Sequence, residues 1–259
     1  DDSPIHEIRK KAIHTFEEEG FPTKKEEDWK YTSLKSILNK DYSVFPKGNK
    51  DVKFKKVRNY FLYDIDSYKL VFIDGVFSTF LSETTHDGLD ICLLSAALSK
   101  SKYKAVIENY YNKAAAKNSI SSLNTAFARE GAYINIPKNK EVEKPIEIIN
   151  FSTGNESALM VQPRNLIVVG ENAHVQIIER HQSLTANPVF TNSVTEIFAE
   201  KRAYLDYYKI QNDKENASLI DNTTIHQEQN SNCKVHSFSL GGKLTRNNLN
   251  FIQNGEHCE

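Results

Sequence analysis

The segment Asn172-Ala-His-Val-Gln-Ile177 recurs in residue type at Arg202-Ala-Tyr-Leu-Asp-Tyr207 and at Asn232-Cys-Lys-Val-His-Ser237. The spacing is regular, because 203 − 173 = 30 and 233 − 203 = 30. In each copy a small residue is followed two places later by an aliphatic one, and alternate residues of a strand share one face. Stacked copies would therefore build a continuous core from units that cannot bury their faces alone. The recurrence predicts a β-solenoid and leaves open a β-sandwich with evenly spaced strands.

Strand signals dominate from residue 132 onward, and no helical period lies between them. They fall at Tyr133–Ile136, Pro145–Ile149, Asn165–Val169 and Val175–Ile178. We therefore predict a mainly β protein in which residues 132–259 form the solenoid core. Residues 249–259 begin what resembles a further turn, so we expect this core to be incomplete at its C-terminal end.

Residues 1–131 are predicted to form a mostly helical domain. Apolar residues recur at helical spacing from Ile5 to Phe16, and Gly20 with Pro22 gives a stop signal. Two more helices are indicated over 103–114 and 123–127. One β-hairpin is predicted near 70–81, because Asp74-Gly75 favours a tight turn between two apolar runs.

Charge and apolar patterning exclude two partner classes. The formal net charge is −1, so the chain has no overall field that would recruit nucleic acid or an acidic membrane. No apolar run is long enough to cross a bilayer. One basic stretch is interpreted as a solvated linker rather than a phosphate-binding segment. It contains Lys47, Lys50, Lys53, Lys55, Lys56 and Arg58, opposed only by Asp51.

Cysteine usage indicates a reducing compartment. Cys92, Cys233 and Cys258 are an odd and widely separated set, which argues against a disulfide framework. We therefore expect a cytoplasmic protein. Cys233 is predicted to be a small buried core residue in phase with Ala173 and Ala203. The adjacent soft ligands His257 and Cys258 do not by themselves make a metal site.

The remaining polar candidates do not converge on a catalytic or metal site. His174 and His236 fall on the face opposite the predicted core. His226 and Glu228 share one strand face, as either an acid/base pair or an exposed polar ladder. Gly241-Gly242-Lys243 lacks the spacing of a phosphate loop and is read as a turn.

A polysaccharide-active enzyme or carbohydrate-binding β-helix is the alternative function. It would require carboxylates and aromatic residues along one groove. Asp206, Asp213 and Asp221 do not share a repeat phase, and Tyr204, Tyr207 and Tyr208 are equally compatible with an aromatic core. The sequence thus assigns no catalytic, metal-binding or cofactor-binding residue.

Two groups of residues resemble the SufB/SufD family of iron–sulfur cluster assembly proteins. The first is Gly20-Phe-Pro-Thr-Lys-Lys-Glu-Glu-Asp-Trp-Lys-Tyr-Thr-Ser-Leu34, which is typical of the SufD branch. The second group comprises Asn124–Gly131, Pro163–Ala173, Ala203–Gln211 and Ser239–Leu249. The resemblance covers nearly the whole chain in order.

The resemblance implies a right-handed parallel β-helix and a non-catalytic scaffold that pairs with a SufB homologue and the ATPase SufC. It also leaves a homodimer open. An iron–sulfur cluster, or a flavin, is implied only for the assembled complex and not for this chain alone. The family's C-terminal region, which includes its SufC-docking segment, has no counterpart in this sequence. No cluster ligand is therefore transferred to His226, His236, His257 or Cys258.

Overall fold

The structure is a computed structural model that describes residues 4–47, 52, 54–62, 64–83, 88–154 and 157–259. Of the described residues, 41% lie in strands and 22% in helices, which confirms the mainly β class. The helices are α1 (Pro4–Glu19), α2 (Lys35–Leu38), α3 (Phe54–Val57), α4 (Leu94–Ser99), α5 (Lys104–Tyr110) and α6 (Ser119–Phe127). Short 3-10 helices lie at Glu27–Trp29, Arg58–Tyr60 and Ser101–Tyr103.

The strands form a parallel β-solenoid of about four turns, so the sandwich alternative is wrong. They are β1 (Tyr42–Ser43), β2 (Tyr68–Ile73), β3 (Val76–Phe77), β4 (Asp90–Leu93), β5 (Ala132–Ile136), β6 (Ile146–Ser152), β7 (Ala158–Val161), β8 (Arg164–Val169), β9 (His174–Ser183), β10 (Val189–Ala199), β11 (Tyr204–Asp213), β12 (Ala217–Gln227), β13 (Asn232–Gly241) and β14 (Leu244–Gln253). Each turn of the solenoid contributes one strand to each of two sheets. The helix-covered sheet contains β1, β4, β5, β7, β8, β10, β12 and β14, and the hairpin sheet contains β2, β3, β6, β9, β11 and β13.

The predicted repeat is correct for two copies and displaced for the third. His174 pairs with Tyr204, an offset of 204 − 174 = 30, as predicted. Tyr204 pairs with Asn232, however, so the next offset is 232 − 204 = 28. Cys233 therefore stacks on Leu205 and not on Ala203. Because the displacement is an even number of residues, Cys233 still faces the core, where it is buried.

A column of left-handed turn residues explains the displacement. Asn139, Asn172, Arg202, Asn230 and His257 all have φ between 55° and 63°. The backbone N–H of each of the first four donates to the carbonyl just before the next member, as from Asn172 to Lys201 and from Arg202 to Gln229. The small residue that follows is Ala173, Ala203 or Ser231. Ser231, not Cys233, is thus the third small residue of the repeat.

Segments before residue 132 contribute to both sheets. β2 pairs in parallel with β6, and β4 pairs antiparallel with β5. β3 folds back on β2 through Asp74 and Gly75, whose φ angles of 52° and 76° suit a primed hairpin turn.

The three predicted helices are present, and one of them is shorter than predicted. α1 ends before Gly20, whose φ is 68°, and α6 covers the predicted 123–127 segment. The helix predicted over 103–114 continues only to Tyr110, because the chain then turns to deliver backbone N–H groups to a buried glutamate. Both α1 and α6 lie on the outside of the helix-covered sheet, where Ile120 and Leu123 of α6 pack on Phe190 and Ile220.

Candidate functional site

The solenoid interior contains a charged cluster. Val175 and Ile177 make the first part of the inward face of β9 apolar, but Glu179 and His181 follow on the same face. β11 repeats the change, from Leu205 and Tyr207 to Lys209. Opposite them, β10 contributes Ser193 and Thr195, and β12 contributes Asp221 and Thr223. All these polar side chains are more than nine-tenths buried.

Lys209 is the centre of this cluster. Its Nζ lies 2.5 Å from Oδ2 of Asp221 and 3.6 Å from Oε2 of Glu179. It also donates to Oγ1 of Thr223 at 2.9 Å, and that hydroxyl in turn donates to Asp221 at 2.9 Å. The ammonium therefore bridges two buried carboxylates, which compensates charges that would otherwise be costly to bury.

Glu179 is surrounded by donors. Nε2 of His181 lies 2.8 Å from its Oε1, and the Tyr207 hydroxyl donates to its Oε2. Thr195 donates to the same oxygen at 3.3 Å. Burial alone would raise the pKa of Glu179, but Lys209, His181 and Tyr207 outweigh it and hold that pKa below its usual range. Burial would lower the pKa of Lys209, yet Asp221 and Glu179 raise it.

The sequence contains a signal for this cluster. Glu179 and Lys209 are 209 − 179 = 30 residues apart, stack directly in the ladder and share the phase of the predicted core stripe. When successive repeats carry opposite charges at the same inward-facing position, the two side chains are expected to form a buried ion pair. Asp221 was noted in the sequence but not connected to them, because the second half of each repeat is irregular.

A second buried ion pair anchors the helical region on the solenoid. Arg164 of β8 lies 2.5 Å from Glu196 of β10, and both side chains are fully buried. Glu196 also accepts the backbone N–H groups of Asn112, Ala114 and Ala115 at 2.8–3.0 Å. Arg164 donates to Thr125 of α6 at 2.8 Å. These hydrogen bonds hold together two of the signature segments, Pro163–Ala173 and Asn124–Gly131.

Two of the other three signature segments, Gly20–Leu34 and Ser239–Leu249, also meet. Trp29, from the Gly20–Leu34 segment, is buried, and the guanidinium of Arg246 in β14 lies 4.3 Å from its ring centroid. Arg246 further donates to Thr32 at 3.3 Å. The N-terminal signature therefore folds against the last turn of the solenoid.

The cysteines lie in structural positions. Burial raises the pKa of the Cys233 thiol to about 12, which leaves it a poor ligand and nucleophile at neutral pH. Cys258 is half-buried, and its Sγ lies 3.3 Å from the carbonyls of Glu228 and Gly255. The neighbouring His257 is exposed as a left-handed turn residue. Burial also raises the pKa of Cys92.

The histidines singled out in the sequence lie in two different surroundings. The His174 ring makes an edge contact with the Tyr204 ring, and the His236 ring stacks on Tyr208. Their ring centroids are 4.5 and 4.8 Å apart, on the outside of the hairpin sheet. His226 and Glu228 are 3.8 Å apart, and Nε2 of His226 lies 2.7 Å from the amide nitrogen of Asn254. This pair forms part of a half-exposed polar ladder at the strand ends.

The residues weighed for a carbohydrate groove do not all share one face of the solenoid. Tyr207 faces the interior and is fully buried, while Tyr204 and Tyr208 lie half-buried on the opposite side of β11. Asp221 is also interior, whereas Asp206 and Asp213 are half-buried.

The glycine cluster and the basic stretch carry no phosphate site among the described residues. Gly241 and Gly242 form the turn between β13 and β14, with φ of 87° and 84°. Lys47, Lys55, Lys56 and Arg58 are exposed. Lys50, Asp51 and Lys53 lie outside the described residues.

Comparison with known families matches almost the whole chain. Residues 2–148 match the SufBD protein N-terminal region, and residues 151–259 match the SufBD core domain of the SUF iron–sulfur cluster assembly system. The chain belongs to the SufBD family. The resemblance to the SufB/SufD family that the sequence predicts is thereby confirmed.

Individual relatives of this SufBD chain come from several organisms. An iron–sulfur cluster assembly SufBD family protein of Synechocystis is 31% identical over 91% of this chain and 53% of its own length. The iron–sulfur cluster assembly protein SufD of Escherichia coli is 24% identical over 92% of this chain and 53% of its own length. The chloroplastic protein ABCI7 of Arabidopsis thaliana is 24% identical over 97% and 54%, respectively. The chain therefore spans about half the length of the curated relatives it matches.

The last turn of this SufBD chain holds five of the exposed large apolar side chains among the described residues. Phe238 and Leu240 of β13 and Leu249, Phe251 and Ile252 of β14 are each 40–55% exposed. Leu249 and Phe251 belong to the inward face, because their ladder partners Thr223 and Ile225 are buried in the interior. Within the described part of the chain, no helix is long and apolar enough to span a membrane.

Proposed function

We propose that this chain is a non-catalytic scaffold subunit of an SUF iron–sulfur cluster assembly complex, acting with a SufB homologue and the ATPase SufC in the cytoplasm. The supporting observation is the ordered match of both SufBD models, over residues 2–148 and 151–259. The iron–sulfur cluster is cargo of the assembled complex, and a flavin would likewise belong to that complex.

The geometry is compatible with a scaffold. The buried ion pairs hold elements together: Glu196 fixes the loop after α5, and Lys209 ties β11 to β12. β13 and β14 carry exposed apolar side chains, which suit a contact with another chain. A homologous solenoid is the partner that these strands fit, because its strands have the same spacing and twist.

Co-expression with the SufB and SufC homologues of the same organism, followed by size-exclusion chromatography, tests the proposal. We expect this chain to co-elute with the SufB homologue. Turnover of a small substrate by the purified chain alone would contradict its non-catalytic assignment. Failure to associate with either partner would contradict the scaffold role while leaving the family assignment intact.

A further inference from the structure

The interior cluster has the donor set of a transition-metal site. One ligand atom from each of Glu179, His181 and Asp221 lies within 4.8 Å of the other two. An imidazole and two carboxylates suit divalent iron, zinc or cobalt. The three side chains are at least 96% buried, so bulk water does not compete for them.

The ammonium of Lys209 lies where a cation between the two carboxylates would lie. It contacts Asp221 at 2.5 Å and Glu179 at 3.6 Å. A divalent ion bound to the same oxygens would be only a few ångströms from the ammonium, and the two like charges would repel each other strongly at low dielectric. Lys209 and a metal ion are therefore alternatives at this position.

The Lys209 ammonium does not contact every oxygen atom of the cluster that could bind a cation. Oδ1 of Asp221 is buried without a hydrogen-bond partner, and so is Oε1 of the neighbouring Gln211. Buried oxygens without donors are uncommon. The unpartnered Asp221 oxygen is thus one ligand position that the Lys209 ammonium leaves unused.

A polar path connects the cluster to the exposed last turn. Lys209 pairs in the ladder with Ser237, and Asp221 pairs with Asn247. Asn247 donates to Ser237 at 3.1 Å, and both residues are exposed. The polar interior of the cluster thus continues into the next turn of the solenoid.

We propose that Lys209 is a specificity-determining residue that keeps divalent transition-metal ions out of the Glu179–His181–Asp221 triad, and that loss of its ammonium turns this triad into a metal site. In a protein that acts in iron–sulfur assembly, such a residue prevents iron from being trapped inside the solenoid. The role in preventing iron trapping rests on the proposed function. The exclusion of metal ions by Lys209 does not, because it is a property of the isolated chain.

Cobalt titration tests the exclusion. Co²⁺ bound by imidazole and carboxylate has visible absorption bands, and its stoichiometry can be measured after gel filtration. We expect Lys209→Met to bind one more equivalent of Co²⁺ than the wild type and to gain thermal stability when cobalt is added. The double variant Lys209→Met/Asp221→Asn should lose both gains. Comparing these two variants separates the triad from any surface binding at His226 and Glu228.

Lys234→Met is the matched control, because Lys234 lies on the outside of the adjacent strand β13 and contacts Tyr204. It should bind no more cobalt than the wild type. Two results would overturn the proposal: a wild-type cobalt site that Asp221→Asn abolishes, or a folded Lys209→Met that gains no cobalt.

Folding is checked by circular dichroism. If Lys209→Met does not fold, Lys209→Gln replaces it, because glutamine removes the charge and retains an N–H donor. If neither folds alone, refolding in cobalt is decisive. Recovery that requires Asp221 supports the proposal, and failure to recover contradicts it.

Discussion

Glu196 connects the solenoid to the loop after α5, and its replacement should be severe. In Glu196→Gln, the Arg164 guanidinium stays fully buried without its counter-charge, and three backbone donors lose an anionic acceptor. Breaking a buried ion pair on one side costs about 3–5 kcal/mol. We expect the free energy of unfolding to fall by that amount in urea titrations followed by circular dichroism.

Glu108→Gln is the control for this experiment. Glu108 pairs with Lys104 on the exposed face of α5 at 3.8 Å, and such helix-surface pairs contribute about 0.5 kcal/mol or less. A loss for Glu196→Gln as small as that of the control would mean that the loop is held by other contacts.

Glu179 should make the protein sensitive to acid. Its pKa is held below the usual range in the folded chain, chiefly by Lys209 acting against the effect of burial. Its stabilising contribution is therefore complete above the unfolded value of about 4.3 and is lost as the pH falls toward the folded pKa. We expect the free energy of unfolding to decrease between about pH 4 and pH 2, and less steeply in Glu179→Gln. Equal slopes for the two proteins would contradict this interpretation.

At the scale of the element, the left-handed turn column sets where each coil ends. Arg202 is the member whose side chain is least suited to positive φ, since asparagine and glycine adopt it more readily. Arg202→Ala and Arg202→Gly both remove the contact with Glu171. The difference in stability between the two variants therefore reports only the cost of positive φ in the backbone. We expect the alanine variant to be less stable than the glycine variant by about 1 kcal/mol. Thermal melts of the two variants measure this difference, and equal stabilities would show that the turn relaxes.

The same column shows how much of the solenoid the sequence predicts. The small-then-aliphatic pattern predicts the strands and the inward face, because alternation of side chains is a local property of a strand. The register of the third copy depends on where the turn falls, and Asn230-Ser231 is a weaker signal than Asn172-Ala173 or Arg202-Ala203. Pairing Cys233 with Ala203 was therefore wrong by two residues, although its burial was predicted.

The charged cluster was missed for a different reason. Glutamate and lysine in a strand are usually assigned to solvent, and only the stacking of Glu179 on Lys209 identifies them as an interior pair. Asp221 joins them across the solenoid from the helix-covered sheet. Such a contact between sheets depends on the length of the connecting loop, which no local pattern predicts.

At the scale of the whole molecule, the exposed last turn should govern association. β13 and β14 each have a ladder partner on one side only among the described residues, and Leu249 and Phe251 leave inward-facing apolar surface accessible. In the 259-residue chain, strands that lack a second ladder partner favour pairing with a strand of another copy. We expect the chain to self-associate with increasing concentration in sedimentation velocity. Phe251→Lys should shift it toward monomer, because a charge on the inward face opposes stacking of a second solenoid.

Phe80→Lys is the matched control, because Phe80 is 79% exposed but lies outside the last turn. If the control dissociates the chain as much as Phe251→Lys does, general surface hydrophobicity drives association, not the solenoid edge. If only Phe251→Lys dissociates it, the same variant should also weaken co-elution with the SufB homologue. Both associations would then use one surface, so a second copy of this chain and the SufB homologue would compete for it.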